Sequence, residues 1–507
     1  MGDEPRLAEL VGGLSLATDL AAGLGLETAL RTCVLAVEIG RELGAGGSEL
    51  KDIYYTALLR FIGCTAFAHE TARVGAGDDL GLLRALTPAD GASVANVLGY
   101  AIKGTRASTV ARMMLDPTLP KKPAAAHCDL AVKLAARLGM SERVMLSLGQ
   151  IYERFDGKGN PGRLKGAQIE LPARVMHVAF RVEVQRSLEG QGVVPGVIAK
   201  RAGGEIDPEV AAAFSRRSVE LLEAVGAPSV WDTFLAAEPQ PFERLTGARL
   251  GEVALAFAHF VDVKSPFTLG HSTGVARLAE AAARALGLDD SERERLRVAA
   301  LLHDLGRVSV PNGIWDKPGP LNPAEWERVR MHSYHTERIL AQSPLFKPYA
   351  QLAAMDHERT DGSGYHRGVA GAAISRSARL LAAADAYQAM TEARAHRAAL
   401  TPEAAAEALV ADARSGRLDR EAVEAVLTAA GHRAAARIRG GWPAALSDRE
   451  VEVLCLLARG LSNKQIGAEL SISAKTAQHH VQHILEKTGV STRAAAAVLA
   501  VENDLLK

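Results

Sequence analysis

Hydrophobic residues recur at helical spacing along most of the chain. Segments 27–43 and 50–67 place apolar side chains three or four residues apart, which is the repeat of one face of an α-helix. A stretch dense in Gly, Asn and Pro at 153–166 predicts irregular backbone instead. We therefore expect residues 7–237 to form helices with short breaks, followed by a linker at 238–241.

The pattern of this first part occurs again in residues 250–431. The matched blocks are 58–63 (LLRFIG) with 301–306 (LLHDLG), 152–159 (YERFDGKG) with 357–364 (HERTDGSG), and 169–174 with 374–379. Chance similarity between helices rich in Ala and Leu would not reproduce a shared DGxG loop followed at the same spacing by I-x-x-x-A-R. The repetition predicts a duplication that gives two helical domains of one fold.

The C-terminal residues differ from both copies. They follow a connector rich in Ala, Arg and Gly at 434–441 and contain short helical segments. Ser447, Ser462 and Ser473 stand where N-caps are expected, and Gly489 stands at the end of the third segment. These signals predict a small helical domain.

Composition agrees with an all-α fold of several domains. The chain has 507 residues, too many for one hydrophobic core, and only 5% of them are aromatic while Ala and Leu are abundant. We predict three domains, at 1–240, 241–440 and 441–507, the last with four helices. Lys plus Arg and Asp plus Glu both number 59, so any binding to nucleic acid must come from a local surface.

Cysteine usage and hydropathy indicate the expected compartment. The four cysteines are far apart and form no CxxC pair, which favours reduced thiols. The sequence shows neither a signal-peptide pattern nor an uncharged apolar run of membrane-spanning length. We therefore expect a cytoplasmic protein without a membrane partner.

Residues 301–307 (LLHDLGR) place a His and an Asp side by side in an apolar helical run. Burying such a pair is costly unless a partner such as a metal ion compensates. The second copy offers further imidazole and carboxylate groups on separate segments: His271, His332, Asp356, His357 and Asp385. Together with His303 and Asp304, this mixture suits iron, manganese, zinc or nickel better than calcium. Two ions would need a bridging carboxylate, for which Asp304 is the natural candidate, and such a pair activates water and neutralises phosphodiester charge.

The order HD…H…DHExxDGxGYH…D resembles the HD-GYP family of phosphodiesterases over residues 264–396. The resemblance implies a helical fold, two or three metal ions and hydrolysis of cyclic di-GMP. The metal ligands that it implies are His303, Asp304, His332, His357 and Asp385. We predict His303, Asp304 and Arg307 as the catalytic residues. The predicted substrate-binding residues are Arg307, Gly364, Tyr365, Arg394 and Arg397, the last two falling where the family holds substrate phosphates.

Four positions depart from the family pattern. Asp356 replaces the first of two paired histidines, Arg307 replaces a lysine, and His366 replaces the proline of Gly-Tyr-Pro. Phe267, one helical turn before His271, supplies no carboxylate, so we expect two divalent ions rather than three. The departures leave three alternatives to a cyclic di-GMP phosphodiesterase: a decayed site kept as scaffold, a non-catalytic sensor of metal or nucleotide, and a phosphohydrolase of another nucleotide.

The first copy has lost its ligand positions. The residues that align with the candidate ligands are Thr28, Arg60, Phe61, His127, Ile151, Tyr152 and Phe180. His127 alone is a metal-binding residue type, and we interpret it as a core or surface histidine. We expect this degenerate copy to bind a partner, to dimerise the chain or to sense a signal.

The C-terminal domain resembles the LuxR-type DNA-binding domain over its whole length. The resemblance rests on 449–454 (REVEVL), 460–464 (GLSNK), 487–490 (KTGV) and the turn LSIS at 470–473 between two helices. It implies that the third segment enters the major groove. The residues expected to contact DNA are Lys464, Lys475, Thr476, Gln478, His479, Gln482, His483 and Lys487.

Basic residues do not outnumber acidic ones in this domain, so we expect one copy to bind DNA with modest affinity and a homodimer to read two half-sites. A helical interaction module without DNA is the alternative. The whole chain is predicted to be a transcriptional regulator in which nucleotide binding or turnover by a metal-dependent phosphodiesterase domain controls the DNA-binding output.

Overall fold

The computed structural model describes residues 5–89, 94–115, 121–244, 247–432, 446–490 and 492–502. These residues form α-helices and short 3-10 turns, with no β-strand among them. The predicted all-α fold is therefore confirmed. Among the described residues, no helix combines the length and the apolar character that crossing a membrane requires. The predicted connector 434–441 lies outside the described residues.

The helices fall into three groups along the chain. The first group is α1 (Leu7–Ala21), α2 (Thr28–Glu42), α3 (Gly47–Leu58), α4 (Ala68–Val74), α5 (Asp79–Leu86), α6 (Val94–Gly104), α7 (Ala107–Leu115), α8 (Lys121–Arg137), α9 (Glu142–Leu148), α10 (Leu171–Glu189), α11 (Val194–Arg201), α12 (Pro208–Arg216), α13 (Ser218–Ala224) and α14 (Trp231–Ala237). The second is α15 (Gly247–Asp262), α16 (His271–Ala285), α17 (Asp290–Leu302), α18 (Asn312–Trp315), α19 (Pro323–Gln342), α20 (Lys347–Ala353), α21 (Arg376–Thr391), α22 (Pro402–Arg414) and α23 (Arg420–Ala429). The third is α24 (Asp448–Ala458), α25 (Asn463–Glu469), α26 (Ala474–Thr488) and α27 (Arg493–Glu502).

The first two groups repeat the same packing. Helices α2 and α16 begin and end at positions that differ by 243, and α9 and α20 at positions that differ by 205. A Cβ built on Gly63 would lie 2.0 Å from the carbonyl oxygen of His127, and one built on Gly306 would lie 2.0 Å from that of His332. In each copy only a glycine allows this turn to lie against the helix that bears the histidine. The shared contact supports a duplicated fold.

The run that bears the HD pair is not a continuous helix. Helix α17 ends at Leu302, His303 is its C-cap, and a 3-10 turn follows at Leu305–Ser309. The HD pair therefore lies at a helix end and not in the middle of a helical run. Within this turn Gly306 lies directly against α19.

The two copies share one hydrophobic core. A single cluster of buried apolar side chains runs from Leu7 to Leu427, whereas helices α24–α27 have a cluster of their own. The predicted linker near 240 is packed, because Glu238 is only 4% exposed. Its carboxylate accepts a hydrogen bond from the Tyr55 hydroxyl at 3.3 Å and lies 3.3 Å from Arg6. The boundary near 240 therefore separates sequence repeats and not hydrophobic cores.

The C-terminal helices begin and end at the predicted residues. Ser447, Ser462 and Ser473 are N-caps whose hydroxyls accept backbone N–H groups. Gly489 ends α26 in the left-handed conformation, with φ of 69°. Helices α25 and α26 are joined by a short turn, which is the arrangement of a helix-turn-helix.

Candidate metal centre

Five segments of the second copy bring the predicted ligands together. His271 is the first residue of α16, His303 and Asp304 follow the end of α17, and His332 lies in the middle of α19. Asp356 and His357 follow α20, and Asp385 lies in α21. Every one of these residues except His357 is at most 5% exposed, and the His357 side chain is 20% exposed.

The ligands form two groups. One group consists of His271, His303 and Asp304, and Asp385 adjoins it. His271 Nε2 lies 3.2 Å from Asp385 Oδ1, and His303 Nε2 lies 3.8 Å from the same atom. The other group consists of His332, Asp356 and His357. These separations suit donors that face a shared cation.

Asp304 joins the two groups. Its Oδ2 atom lies 3.6 Å from His271 Nε2 and 3.7 Å from His303 Nε2. Its Oδ1 atom lies 3.6 Å from His332 Nε2 in the other group. The two carboxylate oxygens thus face different ligand groups, which is the arrangement of a bridging ligand.

Buried atoms without partners show that the donor set fits a metal. His303 Nε2 and Asp356 Oδ2 are buried and have no hydrogen-bond partner among the described residues. His303 Nδ1 instead contacts the Ala300 carbonyl at 2.7 Å, which directs Nε2 toward the carboxylates. A buried, unpaired acceptor is costly, and a cation in each ligand group would satisfy the unpaired atom of that group.

The charge of the centre also favours a cation. Burial opposes ionisation, but hydrogen bonds to Asp385 and Glu392 raise the pKa of His271 to about 10. Burial would raise the pKa of Asp304, but Arg307 and the neighbouring histidines hold it well below its usual range. Asp304 is therefore ionised, and the protonated His271 imidazole lies 3.6 Å from its carboxylate.

Two residues that the sequence reasoning missed support the ligands. Glu392 Oε2 lies 2.9 Å from His271 Nδ1, the position of a carboxylate that orients a metal-binding histidine. Its spacing of two helical turns after Asp385 was an available signal. Trp315 Nε1 donates to the Arg307 carbonyl at 3.2 Å, and its ring lies 3.8 Å from the Arg307 guanidinium carbon. No sequence pattern indicated that tryptophan.

Three of the predicted substrate-binding residues lie against the ligands. Arg307 Nη1 donates to Asp304 Oδ2 at 3.1 Å. Arg394 donates to Glu392 at 2.9 Å. The ring of Tyr365 stacks on His357, with centroids 4.7 Å apart. These groups border the same site.

The other two predicted substrate-binding residues have structural contacts. A Cβ on Gly364 would lie 2.4 Å from the backbone nitrogen of Arg359, so a glycine is needed for the close approach of two chain segments. The Arg397 guanidinium donates to backbone carbonyls at the end of α21, among them those of Met390 and Glu392, both at 3.1 Å. Their contact with substrate stays a prediction.

In the first copy, an arginine lies among the residues that align with the ligands. The Arg60 guanidinium carbon is 4.0 Å from the centre of the Phe180 ring, and Nη1 donates to the Ile151 carbonyl at 3.4 Å. His127 is held by the Arg60 carbonyl and the Tyr152 hydroxyl, both at 2.8 Å. Among the described residues, two groups of three His and Asp side chains lie close enough to hold a metal ion, and both groups are in the second copy.

The C-terminal domain presents most of the predicted DNA-binding side chains. Exposed residues on α26 and its N-terminal end are Lys475, Thr476, Gln478, His479, Gln482 and His483. Lys464, Lys475 and Gln478 line a cleft of about 870 Å³. Lys487 differs, because its Nζ atom lies 2.7 Å from Glu450 Oε2 and joins α26 to α24.

Comparison with known proteins identifies two families in the chain. The family described as HD domain matches residues 122–186 and 256–422. The chain is 32% identical over 406 residues to the 3'3'-cGAMP-specific phosphodiesterase 3 of Vibrio cholerae, covering 78% of this chain and 88% of that protein. It belongs to the HD-domain phosphodiesterase family. The bacterial regulatory proteins of the luxR family match residues 444–500, so this HD-domain phosphodiesterase carries a DNA-binding domain.

A solved structure and a second relative agree with the assignment to the HD-domain phosphodiesterase family. The crystal structure of a cyclic GMP-AMP specific phosphodiesterase of V. cholerae aligns with 85% of this HD-domain phosphodiesterase and 99% of that chain, with a TM-score of 0.60 and 28% identity. The cyclic di-GMP phosphodiesterase response regulator RpfG of Xanthomonas campestris is 33% identical over 193 residues, or 38% of this chain and 49% of that protein. The predicted resemblance to HD-GYP phosphodiesterases and to the LuxR type is confirmed.

Proposed function

We propose that this HD-domain phosphodiesterase is a transcriptional regulator whose second copy hydrolyses a cyclic dinucleotide at a binuclear metal centre. The position of Asp304 carries the proposal, because its two oxygens face the two separate ligand groups. Two divalent ions, of iron, manganese, zinc or nickel, would be held by His271, His303, Asp304 and Asp385 on one side and His332, Asp356 and His357 on the other. Bound there, they would activate water and neutralise phosphodiester charge.

The relatives support the substrate class. The V. cholerae relative that covers most of this chain is named for 3'3'-cGAMP, and RpfG is named for cyclic di-GMP. We propose that the substrate is one of these cyclic dinucleotides, with 3'3'-cGAMP as the first choice. Both contain phosphodiesters that join purine nucleosides, so the site needs cationic groups and an aromatic ring.

The chain's own residues provide those groups. The Arg307 guanidinium lies between the Trp315 ring and Asp304, which fixes a planar donor beside the bridging carboxylate. Arg394 is held beside Glu392 and His271 at the edge of the same site. Tyr365, stacked on His357, offers an aromatic edge next to the second ligand group. We assign phosphate binding to the two arginines and substrate orientation to Tyr365.

The C-terminal domain is the part of the chain to which we assign DNA binding. We propose that helix α26 enters the major groove and that two copies of the chain bind two half-sites as a homodimer. The support is the exposed polar face of α26 above its buried Ala477, Val481 and Ile484. Turnover or binding of the nucleotide would then change the DNA affinity of the dimer.

Hydrolysis by matched variants tests the proposal. Purified chain would be assayed for its metal content and for cleavage of 3'3'-cGAMP and cyclic di-GMP, as wild type, Asp304→Ala and Asp290→Ala. Asp290 begins the helix that ends at the HD pair, and its side chain is 92% exposed, so it controls for loss of a carboxylate. We expect turnover by wild type and Asp290→Ala and none by Asp304→Ala. Bound metal without turnover of either nucleotide would contradict hydrolysis and support the sensor, and equal turnover by Asp304→Ala would contradict the site.

A further inference from the structure

The degenerate first copy reaches the metal centre of the second. Between the matched blocks, whose offsets are 243 and 205, the first copy is 38 residues longer, and helices α4 to α7 lie in this stretch. The loop that precedes α5 and the start of α5 contact the short helix α18 of the second copy. Helix α18 ends with Trp315, the residue that packs on Arg307.

Asp79 is the centre of this contact. Its side chain is 1% exposed and lies 2.8 Å from the Nζ atom of Lys264, which is 4% exposed. Its other oxygen accepts the backbone N–H of Asn312 at 2.7 Å. The Asn312 amide in turn donates to the Lys264 carbonyl at 2.5 Å. One carboxylate of the first copy thus holds two segments of the second.

Further contacts join the first copy to α18. The Gly313 N–H donates to the Gly77 carbonyl at 3.0 Å, and a Cβ on Gly313 would lie 2.3 Å from the Gly77 Cα. His69 Nδ1 lies 2.7 Å from Asp316 Oδ2, just after α18. The two copies are therefore fitted to each other at both ends of α18.

Helix α18 contacts Asp304, the proposed bridging ligand, through Trp315 and Arg307. The Trp315 ring lies 3.8 Å from the Arg307 guanidinium carbon and packs edge-on to His332, with centroids 5.6 Å apart. Arg307 donates to Asp304. A shift of α18 would therefore move the face on which the guanidinium rests, and with it the donor beside Asp304.

A buried ion pair is a weak means of stabilisation, since apolar residues of similar volume often serve as well. Its charges and hydrogen bonds favour the arrangement in which all of them are satisfied. The Asp79–Lys264 pair is such a contact, and it holds a segment that borders the site.

We propose that Asp79 is a positioning residue through which the degenerate copy sets the geometry of the second copy's reaction. It anchors α18, α18 carries Trp315, and Trp315 holds Arg307 beside Asp304. This inference rests on the proposed hydrolysis of a cyclic dinucleotide. The first copy serves the reaction as a fixed support and needs no ligand of its own for that role.

The test combines amide exchange with kinetics on the full-length protein. The variants are Asp79→Asn, which keeps the shape but removes the charge, and Gly313→Ala, which forces the Gly77 backbone away. Gly99→Ala in α6 is the control, because no described atom lies within 4 Å of a Cβ built there. We expect both variants, and not the control, to exchange the amides of 310–316 faster in metal-free protein. With cyclic dinucleotide and metal, kcat should fall about 10- to 100-fold with little change in KM.

A double-mutant cycle separates positioning from loss of stability. If Asp79 acts through Trp315, Asp79→Asn will lower kcat no further in a Trp315→Ala background, at temperatures where thermal unfolding shows every variant folded. Should Asp79→Asn fail to fold, Gly313→Ala and its cycle with Trp315→Ala carry the same expectations. Unchanged kcat in a folded variant whose 310–316 amides exchange faster, or additive losses in the cycle, would overturn the positioning role. Failure of the wild type to hydrolyse either nucleotide would overturn the proposed function itself.

Discussion

The Nδ1 atom of His271 lies 2.9 Å from the Glu392 carboxylate, and its Nε2 atom faces Asp385 and Asp304. One imidazole therefore connects the end of α21 to Asp304, the proposed bridging ligand. A carboxylate behind a metal-binding histidine fixes the orientation of the ring and raises its basicity as a ligand.

Glu392→Gln should weaken metal binding without destroying the fold. The amide keeps the shape but loses the charge that supports His271, so we expect the metal dissociation constant to rise ~10- to 100-fold. Metal titration of the chelator-treated protein measures this. Glu403→Gln, at an exposed position in α22, is the control. Equal affinity of wild type and Glu392→Gln would show that the carboxylate plays no part in holding the ligand.

Arg60 should stabilise the first copy and leave the metal centre alone. Its guanidinium packs on Phe180 and donates to Ile151, so Arg60→Ala leaves a cavity and is expected to cost about 2–4 kcal/mol in urea unfolding. Arg60→Met, which refills the space without a buried charge, should cost less. The exposed Arg330→Ala serves as control. Loss of bound metal in folded Arg60→Ala would mean that this copy contributes to the metal site.

Stability should fall as Glu238 ionises. Burial raises the pKa of Glu238 to about 7 from an ordinary value of 4.5. A group whose pKa is raised on folding stabilises the protein below its unfolded pKa, and this contribution is lost as pH rises through the folded value. Glu238→Gln should therefore match wild type near pH 4.5 and exceed its thermal midpoint by a few degrees near pH 8. A variant less stable than wild type at pH 8 would contradict the assignment.

Lys475 should contribute charge to DNA binding. It is exposed at the start of α26 and lines the cleft beside Lys464. Lys475→Ala should weaken binding to all sequences and lower the slope of log K against log salt by about 1. The exposed Lys200→Ala in the first copy is the control. A slope that is identical in wild type and Lys475→Ala would exclude a phosphate contact by this side chain.

Short motifs predicted the candidate ligands that the structure brings together. His303 and Asp304 are adjacent, and Asp356, His357 and Gly364 lie in one loop, so their order alone indicated a metal centre and its family. The repeat also showed which copy had lost its ligands, since Arg60 occupies the position that corresponds to His303.

The supporting residues could not be predicted in this way. Glu392 meets His271 across 121 residues, and Asp79 meets Lys264 across 185, so only the packing of helices brings them together. The end of α17 at Leu302 could not be predicted from the hydrophobic pattern either, because apolar residues three positions apart, here Leu302, Leu305 and Val308, fit both a 3-10 turn and an α-helix.

The number of metal ions bound per chain tests the central claim most directly. Elemental analysis of purified wild type and Asp304→Ala would give this number, with Asp290→Ala as the matched control. A bridging Asp304 predicts two divalent ions in wild type and in the control, and fewer than one in Asp304→Ala. Two ions retained by Asp304→Ala, or none in wild type supplied with iron, manganese, zinc or nickel, would contradict a binuclear centre bridged by this residue.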